Sequence, residues 1–104
     1  MIHVIANIEV KPGCREEFLR AFLENVPNVL AENGCIRYDP SLDVDSGIPV
    51  QGEVRENVVT IVETWESLDH LKAHLEAPHM ATYRKKVADL VAGVRLQVVE
   101  PVEA

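Results

Sequence analysis

Three histidines, His70, His74 and His79, crowd one stretch of the chain, just after a run that holds a carboxylate and the single tryptophan, Glu63-Thr64-Trp65-Glu66-Ser67. An imidazole can exchange a proton near neutral pH. A carboxylate set in an apolar strand must find donors or shift its pKa upward. His70 and His74 stand four residues apart, so on a helix they share a face. That spacing holds zinc in H-E-x-x-H helices, but here Leu71 takes the place of the glutamate and no third ligand follows. No metal site is expected. His74 falls beside Leu71 and Leu75, at the edge of an apolar stripe, whereas His70 and His79 read as capping or surface residues. Glu63 reads first as a tie to a loop or a partner subunit and second as a base in a pocket. Trp65 reads first as packing. Asn7 interrupts an apolar strand, where an amide needs partners from backbone, water or ligand. Tyr38 and Tyr83 each join a ring to a hydroxyl, and with Trp65 they could sandwich a flat aromatic ligand.

The elements that must position these residues follow from periodicity. Residues 2–10 are rich in Ile and Val and predict a strand, closed by the turn signal Lys11-Pro12-Gly13. Phe18, Phe22, Val26, Val29 and Leu30 then fall at helical spacing within 14–32, with Glu16 and Glu17 in the dipole-favoured first turn. Pro27 predicts a kink or restart there, and Asn33-Gly34 a stop. Residues 35–43 form a second strand, made irregular or an edge by Pro40. Residues 44–56, with Ser46-Gly47, Pro49 and Gly52, read as a loop. Residues 57–65 are the strongest strand. Ser67 is a good N-cap for a helix carrying Leu68, Leu71 and Leu75. Pro78 breaks that helix and opens another through Met80, Tyr83, Val87, Leu90 and Val91. Gly93 is expected to end it, and residues 94–100 make the last strand.

The order strand, helix, strand, strand, helix, strand is the split βαβ pattern of ferredoxin-like α+β domains: an antiparallel sheet with helices on one face. Ile2, Val4, Ala6, Ile8 and Val10 make a wholly apolar face on the first strand, and His3, Ile5, Asn7 and Glu9 a mixed one. In the third strand both faces are largely apolar. A sheet with one wet face should alternate more cleanly, so a second copy of the chain is expected to cover the other face as a homodimer.

One domain spans 1–104, since 104 residues leave no room for a second core. Seventeen acids against ten bases give a net charge of -7, which argues against nucleic acid as a partner. No run approaches the roughly 20 apolar residues that span a bilayer, so no membrane partner is expected. The N-terminus lacks the pattern of a secretory signal. Cys14 and Cys35 therefore read as reduced thiols of a cytoplasmic protein. No G-x-G-x-x-G, P-loop or G-x-S-x-G occurs, so nucleotide cofactors and a serine nucleophile gain no support.

Glu63-Thr64-Trp65-Glu66-Ser67-Leu68-Asp69-His70-Leu71-Lys72-Ala73-His74-Leu75, followed by Pro78-His79-Met80, resembles the antibiotic-biosynthesis monooxygenase family. Gly34-Cys35-Ile36-Arg37-Tyr38 matches that family's second strand and Lys11-Pro12-Gly13 its first turn, so the resemblance covers nearly the whole chain. It is nearest to the small bacterial quinol monooxygenases. The resemblance implies a ferredoxin-like fold paired into a dimeric α+β barrel. It implies oxygenation of a quinol or phenolic aromatic substrate by O₂, with no flavin, haem or metal cofactor. By position it assigns His74, Asn7 and Trp65 to catalysis: His74 as proton acceptor, Asn7 as hydrogen-bond partner of a substrate or dioxygen-derived oxygen, Trp65 as a stacking wall. Tyr38, Met80 and Tyr83 would line the substrate site. Three other readings stay open: proton transfer on a small carbonyl metabolite, haem degradation, and a non-catalytic ligand-binding dimer.

Overall fold

The computed structural model describes residues 1–103. Seven elements follow one another: β1 (Ile2–Val10), α1 (Arg15–Leu30), β2 (Cys35–Ser41), β3 (Val58–Trp65), α2 (Leu68–Leu75), α3 (Pro78–Val87) and β4 (Val91–Val99). The strands form one antiparallel sheet in the order β2-β3-β1-β4. All three helices lie on one face of it.

Strand parity dictates which side chains meet the helices. Ile2, Val4, Ala6, Ile8 and Val10 of β1 are all buried, as are Val59, Ile61, Glu63 and Trp65 of β3. Against this inner face α1 packs Phe18, Phe22 and Val29. Fully burying such a side chain contributes roughly 1.5–3 kcal/mol, so these few contacts fix α1 over the sheet. The intervening residues His3, Ile5, Asn7 and Glu9 share the outer face with Thr60, Val62 and Thr64. Two polar pairs are satisfied across strands there: His3 Nδ1 to Thr64 Oγ1 at 2.9 Å, and Thr60 Oγ1 donating to Asn7 Oδ1 at 2.9 Å.

The helices do not reach the edge strand β4. Its inner residues Val94, Leu96 and Val98, paired with Ile8, Ala6 and Val4, stay 61, 46 and 41% exposed. Between β2 and β3 the long loop is held by Arg55, whose guanidinium donates to both oxygens of Asp43 at 2.8 and 2.9 Å.

Two expectations need correction. Helix α1 runs through Pro27 without a restart. The ring removes the donor for the carbonyl of Leu23, but Leu23 and Pro27 are both exposed, so water can satisfy that carbonyl on the solvent side. Gly93 does not end α3 either. That helix stops at Val87, and the Leu90 carbonyl at once accepts from Lys11 N at 2.9 Å. Gly93 instead lies within β4 opposite Glu9, where the register shifts by a bulge. Pairing with β1 claims this segment before the helix can continue into it.

Candidate active site

One cavity, of about 260 Å³, opens between the inner face of the sheet and the helices. Ala6, Ile8 and Ile61 floor it, and Phe22, Tyr38, Met80 and Tyr83 wall it. Glu63, His74 and Arg84 supply its charged or titratable groups, and Val91 and Val94 bound it on the β4 side. It is an apolar, aromatic chamber with a few polar groups, the composition usual for small-molecule sites.

His74 reaches the chamber because α2 is anchored at its start. Ser67 Oγ caps the helix by accepting from His70 N at 3.2 Å. Three residues on from Leu71, His74 shares the buried face and is 2% exposed. Its ring packs on Trp65 (centroids 4.7 Å apart, planes 36°) and edge-on to Tyr38 (5.4 Å, 67°). His74 Nδ1 lies 2.8 Å from Glu32 Oε2. A carboxylate only accepts, so Nδ1 carries the proton and Nε2 keeps a lone pair. Among the described residues no hydrogen bond engages Nε2. Burial holds the His74 pKa below its ordinary value, against the pull of Glu32 in the opposite direction. The imidazole is therefore neutral at neutral pH and able to accept a proton.

Glu32 arrives by way of a turn that the sequence did not flag as functional. The α1–β2 turn is tied to α2 at two points. Glu66 N donates to the Gly34 carbonyl at 2.9 Å, and the His70 side chain closes against Gly34. A Cβ on Gly34 would stand 2.4 Å from the His70 ring, and its φ of +82° is left-handed. His70 thus builds the site without entering it. His79 approaches the same carboxylate, with Nε2 3.1 Å from Glu32 Oε2, but off hydrogen-bond geometry. Among the described residues, both its ring nitrogens are buried without a hydrogen-bond partner.

Glu63 enters from the sheet. It is 6% exposed, and its Oε1 accepts from Trp65 Nε1 at 3.0 Å. Burial, with a smaller repulsion from Glu32, pushes its pKa up to about 7 against that hydrogen bond. Burial also pushes the Tyr38 and Tyr83 hydroxyls up, so both rings stay neutral phenols. Tyr38 stacks on Phe22 with centroids 5.3 Å apart and planes at 11°, and Tyr83 meets Phe22 edge-on.

Of the residues singled out in the sequence, the cavity brings together His74, Glu63, Tyr38, Met80 and Tyr83. Two of the expected residues lie outside the lining. Asn7 lies on the outer face, because its neighbours Ala6 and Ile8 face the cavity and successive strand residues point oppositely. It borders a separate cavity of about 450 Å³ on that side, with Glu9, Arg55, Val58 and Arg95. Trp65 is wholly buried and is not among the lining residues. It backs His74 and Glu63 instead of presenting a stacking wall. Sequence reasoning missed Glu32, Phe22 and Arg84. Helical periodicity marked Phe22 as core, but neither Glu32 nor Arg84 stood in a pattern that drew a functional reading. Among the described residues, no group of three or more His, Cys, Asp or Glu side chains is placed to hold a metal ion. No helix among them is long and apolar enough to cross a membrane.

Comparisons with known proteins agree with this architecture. The family model for antibiotic biosynthesis monooxygenase matches residues 1–86. The probable quinol monooxygenase YgiN of Escherichia coli strain K12 is 38% identical over 103 residues, covering 97% of this chain and 98% of the relative. Among solved structures, PA3566 from Pseudomonas aeruginosa superposes with a TM-score of 0.80 at 22% identity, covering 98% of this chain and 94% of that one. Rv0793 from Mycobacterium tuberculosis gives 0.79 at 24% identity, covering 99 and 96%. These two likenesses speak for the fold. The family model and the full-length relative speak for descent, and the chain belongs to the antibiotic biosynthesis monooxygenase family.

Proposed function

We propose that the cavity binds a small quinol or phenol and that the protein oxygenates it with O₂. The observation that carries this reading is His74: a neutral imidazole in an aromatic-lined chamber, held through Nδ1 by Glu32 with Nε2 unengaged. In the proposed reaction Nε2 takes a proton from the substrate hydroxyl. The resulting anion is electron-rich enough to pass an electron to O₂. For a quinol the whole change is balanced by one oxygen atom entering a ring C–H bond and the other leaving as water. The Glu32 carboxylate stabilises the imidazolium formed on the way, as a carboxylate does for the histidine of a triad. Arg84 lines the cavity, and its guanidinium is steadied by donation to the Leu75 carbonyl at 2.6 Å. It can offset the charge that develops on the ring oxygen.

The size of the chamber favours one ring or two fused rings, since it falls below the roughly 300–1,000 Å³ of pockets for drug-sized ligands. Tyr38, Phe22, Met80 and Tyr83 would hold the ring. Asn7 has no part in this scheme, and Trp65 acts by orienting His74 and Glu63.

The working form in this reading is a homodimer. The exposed apolar strip Val94, Leu96 and Val98 on β4, with Ile5 and Val99 on the other side of the sheet, favours cover by a second copy. Sedimentation at micromolar concentration tests that assembly; a monomer would remove it. The free thiols Cys14 and Cys35 suit a reducing, cytoplasmic setting.

The test of the activity is labelled dioxygen. Under ¹⁸O₂ with a reduced naphthoquinone, one labelled atom is expected in the hydroxylated product and one in water. Product formed equally fast without O₂ would point to proton-transfer chemistry and remove the monooxygenase reading.

A further inference from the structure

A quinol has two hydroxyls, and removing its electrons releases two protons. His74 serves one. Among the described residues, Glu63 is the other buried side chain of the cavity wall able to accept a proton near neutral pH and bonded at one atom. Its Oε1 is engaged by Trp65, but among the described residues nothing hydrogen-bonds Oε2, and Glu63 lines the same chamber as His74. The two groups enter from opposite layers, Glu63 from the sheet and His74 from helix α2, with Trp65 touching both. Oε2 is not among the side-chain atoms sealed off without a partner, so it is open to a polar group held in the chamber.

We propose that Glu63 is a second catalytic proton-exchanging residue, whose Oε2 touches a second oxygen of the bound ring and so selects a quinol over a monophenol. This rests on the reading of the cavity as an aromatic-substrate site. In the step, the O–H bond of the second hydroxyl breaks, its proton forms an O–H bond on Glu63 Oε2, and the electron pair stays on the ring. O₂ accepts the electrons. The charged and titratable groups around Glu63 are Trp65 on its own strand, Tyr38 and Cys35 on β2, Glu32 after α1, His74 on α2, and Tyr83 and Arg84 on α3. Burial and Glu32 bias it toward the neutral acid and the Trp65 N–H toward the carboxylate, placing its pKa at about 7. It can therefore accept or return a proton within the working pH range.

The test uses binding, so it does not depend on turnover. The probe is 2-hydroxy-1,4-naphthoquinone, a coloured anion throughout the range used. A neutral Glu63 donates to it and an ionised one repels it. For the wild type, binding should weaken about 20-fold between about pH 6.5 and 8.5, as the protonated fraction falls. Glu63→Gln, neutral at every pH, should change less than about twofold. Trp65→Phe keeps the carboxyl but removes the donor that favours its ionised form, so the break should move to higher pH. That variant keeps the test alive if Glu63→Gln fails to fold. Equal slopes in wild type and Glu63→Gln, a flat wild-type curve, or an unmoved break in Trp65→Phe would each overturn the proposal. A wild type that consumes no O₂ beyond autoxidation would remove the monooxygenase reading alone, because the pH slope still decides Glu63.

Discussion

Ala6 and Ile8 look into the cavity, while Asn7, between them on the same strand, looks away from it. The two faces of the sheet carry similar polar inventories but treat them differently. On the outer face Asn7 meets Thr60, and His3 meets Thr64, in cross-strand hydrogen-bonded pairs. On the inner face Glu63 and His74 are desolvated, each bonded at one atom only and each displaced from its ordinary pKa by burial. A polar residue in an apolar strand is thus no sign of chemistry by itself. What distinguishes the inner face is polarity that is buried and left half-engaged.

The sharpest way to break this contrast is to remove one polar group from each face. His74→Ala should lower kcat/KM for oxygen uptake with a reduced naphthoquinone by roughly 10²-fold or more, and Asn7→Ala by less than about twofold. Equal losses would mean that both faces serve the reaction.

Stability against pH offers a second contrast. The raised pKa of Glu63 means that the folded chain holds a proton which the unfolded chain releases from about pH 4.5 upward. Its contribution is complete below that value and is lost as pH rises through about 7. Glu63→Gln removes the penalty, which amounts to about 3 kcal/mol above neutrality. The Tm of this variant should therefore exceed that of wild type at pH 8 and match it at pH 4. Glu9→Gln on the outer face should change neither. His74, with its lowered pKa, works in the opposite sense: its contribution is present above pH 6.5 and lost as pH falls. Comparing the variant with wild type at each pH cancels that part.

Much of this was legible beforehand. Hydrophobic periodicity predicts every element, and the α/β order predicts the sheet, because apolar spacing and turn residues are local. Parity alone already set Asn7 on the less apolar face of β1; its assignment to the site came from family resemblance, and the strand turns it away from the cavity that holds His74. Glu32 was not legible. Its role depends on the α1–β2 turn docking against α2, a contact made by Gly34, Glu66 and His70 across more than thirty residues. The role of Trp65 was half legible, since burial was expected but its indole N–H donating to Glu63 depends on both rotamers.

That turn can be loosened directly. Gly34→Ala should cost about 1–3 kcal/mol, through the left-handed φ and the contact with His70. The urea midpoint would fall with little change in slope. An unchanged midpoint would mean that the turn does not hold Glu32 in place.

The smallest expected effect isolates Glu32 itself. Glu32→Gln should lower kcat by about tenfold, the usual size for a partner that orients a functional histidine. It should also move the acid limb of kcat/KM to lower pH, because the carboxylate raises the His74 pKa. A change in KM alone, with the limb unmoved, would reduce Glu32 to a packing role.

The central claim is that the ring binds on the inner face and gives its proton to His74. Nitrogen-15 NMR of the imidazoles, during titration with a non-oxidisable phenol, tests it most directly. In the free protein His74 is expected with Nδ1 protonated and Nε2 bare, with Nε2 shifting as the phenol binds and the Asn7 side-chain amide unmoved. A response at Asn7 with His74 unchanged would place the ligand on the outer face and contradict the account.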